Sequence, residues 1–555
     1  MSIQSLTLRF TNPTQQVIGT QEISSTSNGQ KSVPITDAGI LAAFNANTAG
    51  TIFTPSMIAN YGNDESGNPI ISVTSPASNI PSFIPRVISL ASVINKTIND
   101  VPFNLSSLIT TISAGALSYS SSNPSVASVN SSGQVTLLTE GTTTITINVT
   151  ATAEHMAGST STTLNVTTPP RWRQLGADID GINFEEQSGS SVSLSSNGRT
   201  LAIGAPNING RTHIFDLNTN VTPNQWTQRG LSIYGEIYDG KSGRSVSISS
   251  DGNIVAIGSV DLVCVFYWNT AVTPNAWTQR GSVSGNGNFG LSVSLSSDGN
   301  ILAVGVPDAD TFGENNGNTR IFYWNTAVTP NAWTQRGSDI DGVLGGLGWA
   351  VSISSDGNTI ASGSKFLGQA VVYDWNTAVT PNAWTQRGSN IGIVAYTTLG
   401  QLASISLSSN GNTLAIGNPR NNGGFVMVYD WNTTLFEWVK RGQTLDRYTI
   451  GTPPYYDNAG NIGYSISLSY DGNMIAIGAP ESVSNKGIVI VYYWNTTISP
   501  NTWTQRGLMM TGEAADDVSG RAVSLSSDGS IVAIGAPSNT GAGWKKGHTR
   551  VYNYY

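Results

Sequence analysis

The sequence predicts an all-β protein in which residues 171–555 close into a seven-bladed β-propeller, preceded by an N-terminal β-sandwich and a small N-terminal region. Three observations carry this. One ordered set of short motifs recurs seven times along the chain. Each repeat divides into four β-rich runs separated by Gly, Asn, Asp and Pro turns, the strand content of a propeller blade. The array also begins on an isolated fourth-strand motif and ends on a third strand, as ring closure requires.

The first motif is Ser-Val-Ser-Leu-Ser-Ser-Asp-Gly-Asn, with its Gly at 198, 252, 299, 357, 411, 472 and 529. Its Asp-Gly or Asn-Gly pair is a preferred tight hairpin turn and separates the first strand from the second. The second strand is Leu-Ala-Ile-Gly-Ala-Pro, as at Leu201–Pro206 and Val532–Pro537, decayed at Val255–Val260 and Ile360–Lys365. An aromatic third strand follows, such as Arg320-Ile321-Phe322-Tyr323-Trp324-Asn325. The fourth carries Trp-Thr-Gln-Arg-Gly, its Trp at 172, 226, 277, 333, 384, 438 and 503. Self-similarity at this period, roughly 50 to 65 residues, marks a repeat architecture before any local signal is weighed.

Closure follows from the two ends. Trp172-Arg173-Gln174-Leu175-Gly176 stands alone at the start, and His548-Thr549-Arg550-Val551-Tyr552 at the finish has no fourth strand after it. The early strand is expected to complete the last blade, which removes an exposed sheet edge. The motif Arg residues (229, 280, 336, 387, 441 and 506) and a second Trp set (268, 324, 375, 431 and 494) recur blade after blade. They are expected to stack or to pack between neighbouring blades.

Gly-Ala-Pro after the second strand, with Phe289-Gly290 before a first strand, resembles the FG-GAP repeats of integrin α-chain propellers. The resemblance spans all seven units and implies a surface protein whose variable loop face engages a ligand. Those repeats carry an Asp-rich calcium loop between the first two strands. Here that place holds the short turn Ser297-Asp298-Gly299-Asn300 and its equivalents, with no carboxylate at Asn197 and Asn410. One carboxylate falls short of the six to eight oxygens calcium prefers, so calcium is not carried over.

Residues 86–168 read as a separate sandwich of short strands with no cysteine pair. Ser122-Asn123-Pro124, Gly133-Gln134-Val135-Thr136 and Gly141-Thr142-Thr143-Thr144-Ile145 resemble the bacterial Ig-like group 2 domain, so an Ig-like β-sandwich acting as a spacer is implied. Thr167-Thr168-Pro169-Pro170 is a stiff linker. Residues 1–85 resemble no named family. Leu6–Phe10 is strand-like, Asp37–Phe44 opens a short helix capped by Thr36 or Asp37, and an anchoring or assembly domain is expected.

Composition excludes several classes. Charged residues are only 11% of the chain, net charge is −8 and no long basic run exists, so nucleic acid is not an expected partner. No apolar run approaches the ~20 residues of a membrane helix, and the first residues show no secretory-signal pattern. The single cysteine, Cys264, lies in a strand and is expected to be a buried, inert thiol.

No catalytic constellation stands out, and the chain is expected to be non-enzymatic, with no cofactor and no metal. His155, His213 and His548 lack metal-ligand spacing, and the latter two fall at nearly equivalent third-strand positions. Asp178/Asp180 and Asp339/Asp341 recur as Asp-Ile-Asp-Gly, which points to turn chemistry. A cation gathered there would be exposed and weakly held.

Binding is expected where the repeats disagree. The loops joining strands one to two and three to four are nearly invariant, whereas those joining two to three and four to one vary. The variable face carries aromatics outside the repeat pattern: Tyr234, Tyr238, Trp349, Phe366, Tyr396, Tyr455, Tyr456 and Trp544. Aromatics on rigidly mounted loops suit recognition of a protein or sugar. Extracellular-type modules without a secretory signal suggest a virion-surface protein, its N-terminal region attached to the particle or another structural protein and its propeller to a host protein or glycan. A bacterial cell-surface adhesin is the alternative, and a propeller glycosidase or lyase, needing two carboxylates or a Tyr/His/Arg group converging near the channel, is a third reading.

Overall fold

The computed structural model describes four strands before residue 88 (Ser5–Thr11, Val17–Ile23, Thr54–Asn60 and Thr74–Ser75). From Ile88 to Tyr555 it describes all but residues 99, 112–114, 153–156, 169, 208–209, 237–239, 311–315, 343–344, 367, 393–403, 420–422 and 450–459. The chain divides into two compact units, Met1–Pro169 and Pro170–Tyr555.

In the first unit the strand Ser5–Thr11 pairs antiparallel with Val17–Ile23 and Thr54–Asn60. The helix expected at 37–44 lies outside the described residues. The following sandwich sets a four-stranded sheet (Val93–Thr97, Gly158–Thr167, Gly141–Val149, Leu117–Ser121) and a three-stranded one (Ala127–Val129, Gln134–Leu137, Phe103–Asn104) around one core. Alternation makes that core: in Gly141–Val149, Thr143, Ile145, Ile147 and Val149 are buried while Thr142, Thr144 and Asn148 are exposed. Ile145 meets Leu105, Val126, Val135 and Leu164 inside.

The second unit is a β-propeller. The sheet of Val293–Leu295, Ile301–Val306, Asn318–Asn325 and Ala332–Gln335, antiparallel in sequence order, shows the plan. Among the described residues seven such sheets follow one another from Ser191 to Tyr554, named here first to seventh in chain order. In all but the second, a further two-residue strand pairs with the third strand, as Ile340–Asp341 does. In the second sheet the fourth strand runs unbroken from Ala276 to Ser284, with a bulge opposite Val265 and Phe266. The seventh sheet takes its outer strand from the start of the unit: Trp172, Arg173 and Gln174 pair with Tyr554, Asn553 and Tyr552. The innermost strands also close on themselves. Backbone N–H groups of Ser196, Ser250, Ser297, Ser355, Ser409, Tyr470 and Ser527 each donate to the carbonyl of the next, and Ser527 donates back to Ser196, at 2.8–3.1 Å.

The Leu-Ala-Ile-Gly motif now has a physical reading. Its aliphatic pair faces the preceding sheet and its alanine the following one. Leu201 and Ile203 pack on Ala533, Ala202 on Val255 and Ile257, and Ala303 on Ile360. Strand alternation thus supplies large-against-small packing between neighbouring twisted sheets. The motif glycine marks the closest approach. A Cβ on Gly305 would lie 1.9 Å from the Gly348 carbonyl oxygen of the next sheet. Backbone cannot yield as a flexible side chain can, so Gly305→Ala is expected to cost about 3 kcal/mol or more, the upper range for overpacking. A shift in urea midpoint of the propeller transition checks this; an unchanged midpoint would remove the close-approach account.

The recurring Arg and Trp form a latch between sheets. Arg336, just after the fourth strand of the third sheet, lies 4.6 Å from the Trp375 ring centroid and 5.6 Å from that of Trp384 in the fourth. Its Nη1 donates to Gly357 O and its Nη2 to Asn358 Oδ1, both at 2.7 Å, in the tight turn of that next sheet. Trp384 Nε1 returns a hydrogen bond to Arg336 O at 2.7 Å. Arg229, Arg387 and Arg441 repeat the arrangement. Arg280 keeps the stacking and the turn contacts, but it is the bulged residue of its strand, and the Trp333 indole N–H is left without that partner. At the junction of the seventh and first sheets the Arg position is Leu175 and the inner Trp position Leu217. These two pack with Trp226, whose Nε1 still donates to Leu175 O at 2.8 Å. Where the stacking ring is lost, the cation is lost with it.

Candidate functional site

The two loop faces of the propeller do different work. On the invariant face each Asp of the Ser-Asp-Gly-Asn turn is consumed locally. Asp298 Oδ1 accepts from Ser296 Oγ at 2.6 Å and Asn300 N at 3.0 Å, and Oδ2 from Asn300 Nδ2 at 2.8 Å. Burial by itself would raise its pKa, but these hydrogen bonds outweigh that and hold it below the usual carboxylate value. The turn carbonyl and Asn side chain then receive the neighbouring Arg. The invariance of this face is therefore that of the latch. At the channel mouth beside it the walls are seven serines, Tyr470 and aliphatic side chains, among them Leu194, Ile248 and Leu468, around a space of ≈ 150 Å³.

The opposite face carries the loops that vary, and three of the places where described aromatics stand there, each beside a cation, are as follows. Tyr234, 61% exposed, has the Arg211 guanidinium 5.0 Å from its ring centroid. With Leu231, Glu236, Phe266 and Trp277 it lines a cleft of ≈ 510 Å³ between the first two sheets. Trp349, half-buried, and Phe366 share one lysine: Lys365 Nζ lies 4.1 Å from the first ring and 5.1 Å from the second. In the third place Trp544 is 61% exposed and Phe184 66%, with Lys545 Nζ 5.5 Å from the Trp544 ring and Lys546 Nζ 5.3 Å from the Phe184 ring. Backbone ties these loops together, since Glu185 N donates to Trp544 O at 3.0 Å. Such cation–π neighbours orient both groups at the surface.

Of the aromatics expected on this face, Trp349 and Phe366 are brought together, while Tyr234 and Trp544 stand in separate patches. Tyr238, Tyr396, Tyr455 and Tyr456 lie outside the described residues. Phe184, Leu231 and the lysines 365, 545 and 546 complete the patches and escape the sequence reading. Their signal was available, because each sits in a loop that breaks the repeat, but attention to aromatics alone passes over the cations.

The histidines are not equivalent, contrary to the expectation from spacing. In the ladder His213 faces Ile203, whereas His548 faces Ala536, two positions further along the repeat. His213 is fully engaged: Nε2 lies 2.5 Å from Glu186 Oε1 and Nδ1 2.8 Å from Ser232 Oγ. Buried Glu186 also accepts from Asn183 N at 2.5 Å, fixing the loop that leads into the first strand. Ligand-type atoms of Asp178, Glu513 and His548 lie within 4.8 Å of one another, an assembly that the expectation of no metal-ligating set did not foresee. Far apart in sequence, these residues have no spacing to read. Cys264 is 6% exposed, and burial together with nearby Glu236 pushes its thiol pKa up to about 12, so it stays protonated.

Residues 111–152, within the sandwich, match the family model described as "Intimin, immunoglobulin-like domain". No curated protein matches the chain by sequence. Among solved structures the chain is similar to hydrazine synthase of Kuenenia stuttgartiensis (14% identity, TM-score 0.42, 68% of this chain and 97% of that one). It is similar to the β-propeller domain of Cps50 (Swd1) from Myceliophteria thermophila (11% identity, TM-score 0.44, 69% and 99%). A third is a protein from Lactobacillus plantarum (14% identity, TM-score 0.41, 66% and 92%).

Proposed function

We propose that this chain is a non-enzymatic surface recognition protein: an Ig-like spacer followed by a seven-bladed, FG-GAP-type propeller whose variable face binds a host protein or glycan. The observation that carries the reading is the placing of a Lys or Arg beside each described aromatic patch on that face. Flat rings next to cations suit sugar rings or peptide segments bearing carboxylates, and a cationic patch on a chain of net charge −8 favours acidic ligands. The intimin-type match in the sandwich fits a surface adhesin-like protein. Among the described residues no helix is long and apolar enough to cross a membrane. Against catalysis stands the channel mouth, lined by serines, one tyrosine and aliphatics without a carboxylate among its described walls.

The carrier of such a protein is a virion in the first reading, held through the N-terminal region, and a bacterial cell envelope in the second. Detection in purified particles or in washed envelopes separates them. The binding claim is tested with the full chain on a glycan and host-surface panel. Phe184→Ala with Trp544→Ala removes two exposed rings, so folding is expected to be unchanged. Affinity for the best ligand is expected to fall by more than about tenfold, as for hot-spot aromatics. Retained binding would move the site to another patch of the face.

A further inference from the structure

We propose that Asp178, Glu513 and His548 form a divalent-metal site, best suited to zinc, that clips the closing strand of the propeller ring. The three come from separate segments. Asp178 follows the outer strand contributed by the start of the unit, Glu513 lies in the loop after the sixth sheet, and His548 opens the last strand. His548 Nδ1 is 3.5 Å from Asp178 Oδ2 and 3.9 Å from Glu513 Oε2. These separations exceed a good N–H···O hydrogen bond. They approach the spacing of about 3.3–3.5 Å between neighbouring ligands on a tetrahedral zinc with bonds near 2.0–2.2 Å. The Glu513 side chain is 46% exposed and free to close the remainder.

Two further observations concern the surroundings of these side chains. The His548 side chain is 1% exposed, yet its Nε2 is buried without any hydrogen-bond partner. The polar contacts of the buried ring are therefore those of Nδ1 with the two carboxylates. Both carboxylates have their outer oxygens occupied: Asp178 Oδ1 accepts from Gln174 Nε2 at 2.6 Å, and Glu513 Oε1 lies 3.7 Å from Arg550 Nη1. Such outer contacts hold the inner oxygens toward the imidazole, as they do around bound metals.

Charge supports the same conclusion. Buried Asp517 adds a third carboxylate that acts on His548, and among the described residues Arg550 is the cation beside the group. Three negative charges and one positive leave two in excess, which a divalent ion cancels.

The other repeats serve as internal comparison. The ladder position of His548, opposite Ala536, is Asn318 in the third sheet, opposite Val306. There Asn318 Nδ2 donates directly to Asp339 Oδ2 at 3.2 Å, and Arg320 Nε reaches the same oxygen at 3.0 Å. The third sheet fills its slot with direct bonds, whereas in the seventh His548 Nδ1 stays 3.5 and 3.9 Å from its two carboxylates. Mixed nitrogen and oxygen donors favour zinc over calcium or magnesium.

The test uses the full chain stripped with EDTA and titrated calorimetrically with zinc chloride, with Co²⁺ substituted for visible spectroscopy. One ion per chain is expected, with tetrahedral d–d bands and a zinc-dependent rise in the propeller's melting temperature. Glu513→Gln changes a half-exposed group and leaves the metal-free fold intact. It and Asp178→Asn are each expected to weaken zinc binding at least about tenfold and to abolish the thermal rise. Absence of stoichiometric binding, or binding unchanged in both variants, would overturn the site.

Discussion

Replacing Trp172 by alanine is expected to lower the stability of the propeller by about 3–5 kcal/mol, the usual range for a buried tryptophan. Trp172 is 9% exposed and packs with Val523, Leu525, Val532 and Ile534 of the closing sheet and with Val489 and Val491 of the sheet before it. Its Nε1 donates to Arg506 O at 2.8 Å and its ring lies 5.2 Å from that of Tyr554. Truncation opens a cavity, strands the Arg506 carbonyl and loosens the strand that covers Tyr552–Tyr554 on its outer side. An uncovered edge is a template for pairing with another chain. The variant is therefore also expected to self-associate as urea approaches its midpoint. Trp226→Ala, at the matching place in the first sheet, is the control. Its strand is held by hairpin connectivity, so a comparable loss of stability without self-association is expected. Denaturation followed by tryptophan fluorescence, with light scattering, reads both. Equal behaviour of the two variants would show that the early strand is not the clasp.

Arg336→Ala is the second large effect, expected at about 2–4 kcal/mol from two charge-assisted hydrogen bonds and stacking over an indole pair. Lysine at 336 is not expected to rescue it, because one ammonium cannot reach Gly357 O and Asn358 Oδ1 together as the guanidinium fork does. The Leu175–Leu217 junction suggests a sharper test. If the latch has an apolar equivalent, Arg336→Leu combined with Trp375→Leu should cost at least about 1 kcal/mol less than the two single changes summed. A double-mutant cycle on urea midpoints measures this. Strict additivity would mean that Leu175 and Leu217 are unrelated to the latch.

Much of this architecture was legible before any coordinates. The order of strands, the Asp-Gly hairpins and the place of Trp172 in the last sheet follow from repeated local patterns, since a strand's period and a turn's backbone demand particular residues wherever they occur. The Leu-Ala-Ile-Gly repeat announced a buried strand in the same way. Its division of labour did not show: that the aliphatics face one neighbour, the alanine the other, and the glycine a carbonyl of the next sheet depends on how twisted sheets nest. On the variable face, Tyr234, Trp349, Phe366 and Trp544 were legible as departures from the repeat. Lys365 and Lys546 beside the rings were not, because loop conformation decides which neighbours meet.

The residues by themselves determined what repeats: strands, turns, the four-strand unit and the mismatch at the two ends. Tertiary structure alone decided what converges. Asp178 and His548 lie near opposite ends of the propeller sequence, yet the pairing of Ile179–Asp180 with Thr549 and His548 sets them in one sheet. Periodicity reports a side chain's relation to its own backbone, which is local. Contact between distant segments depends on the accumulated rotation from sheet to sheet, and no single repeat contains that quantity.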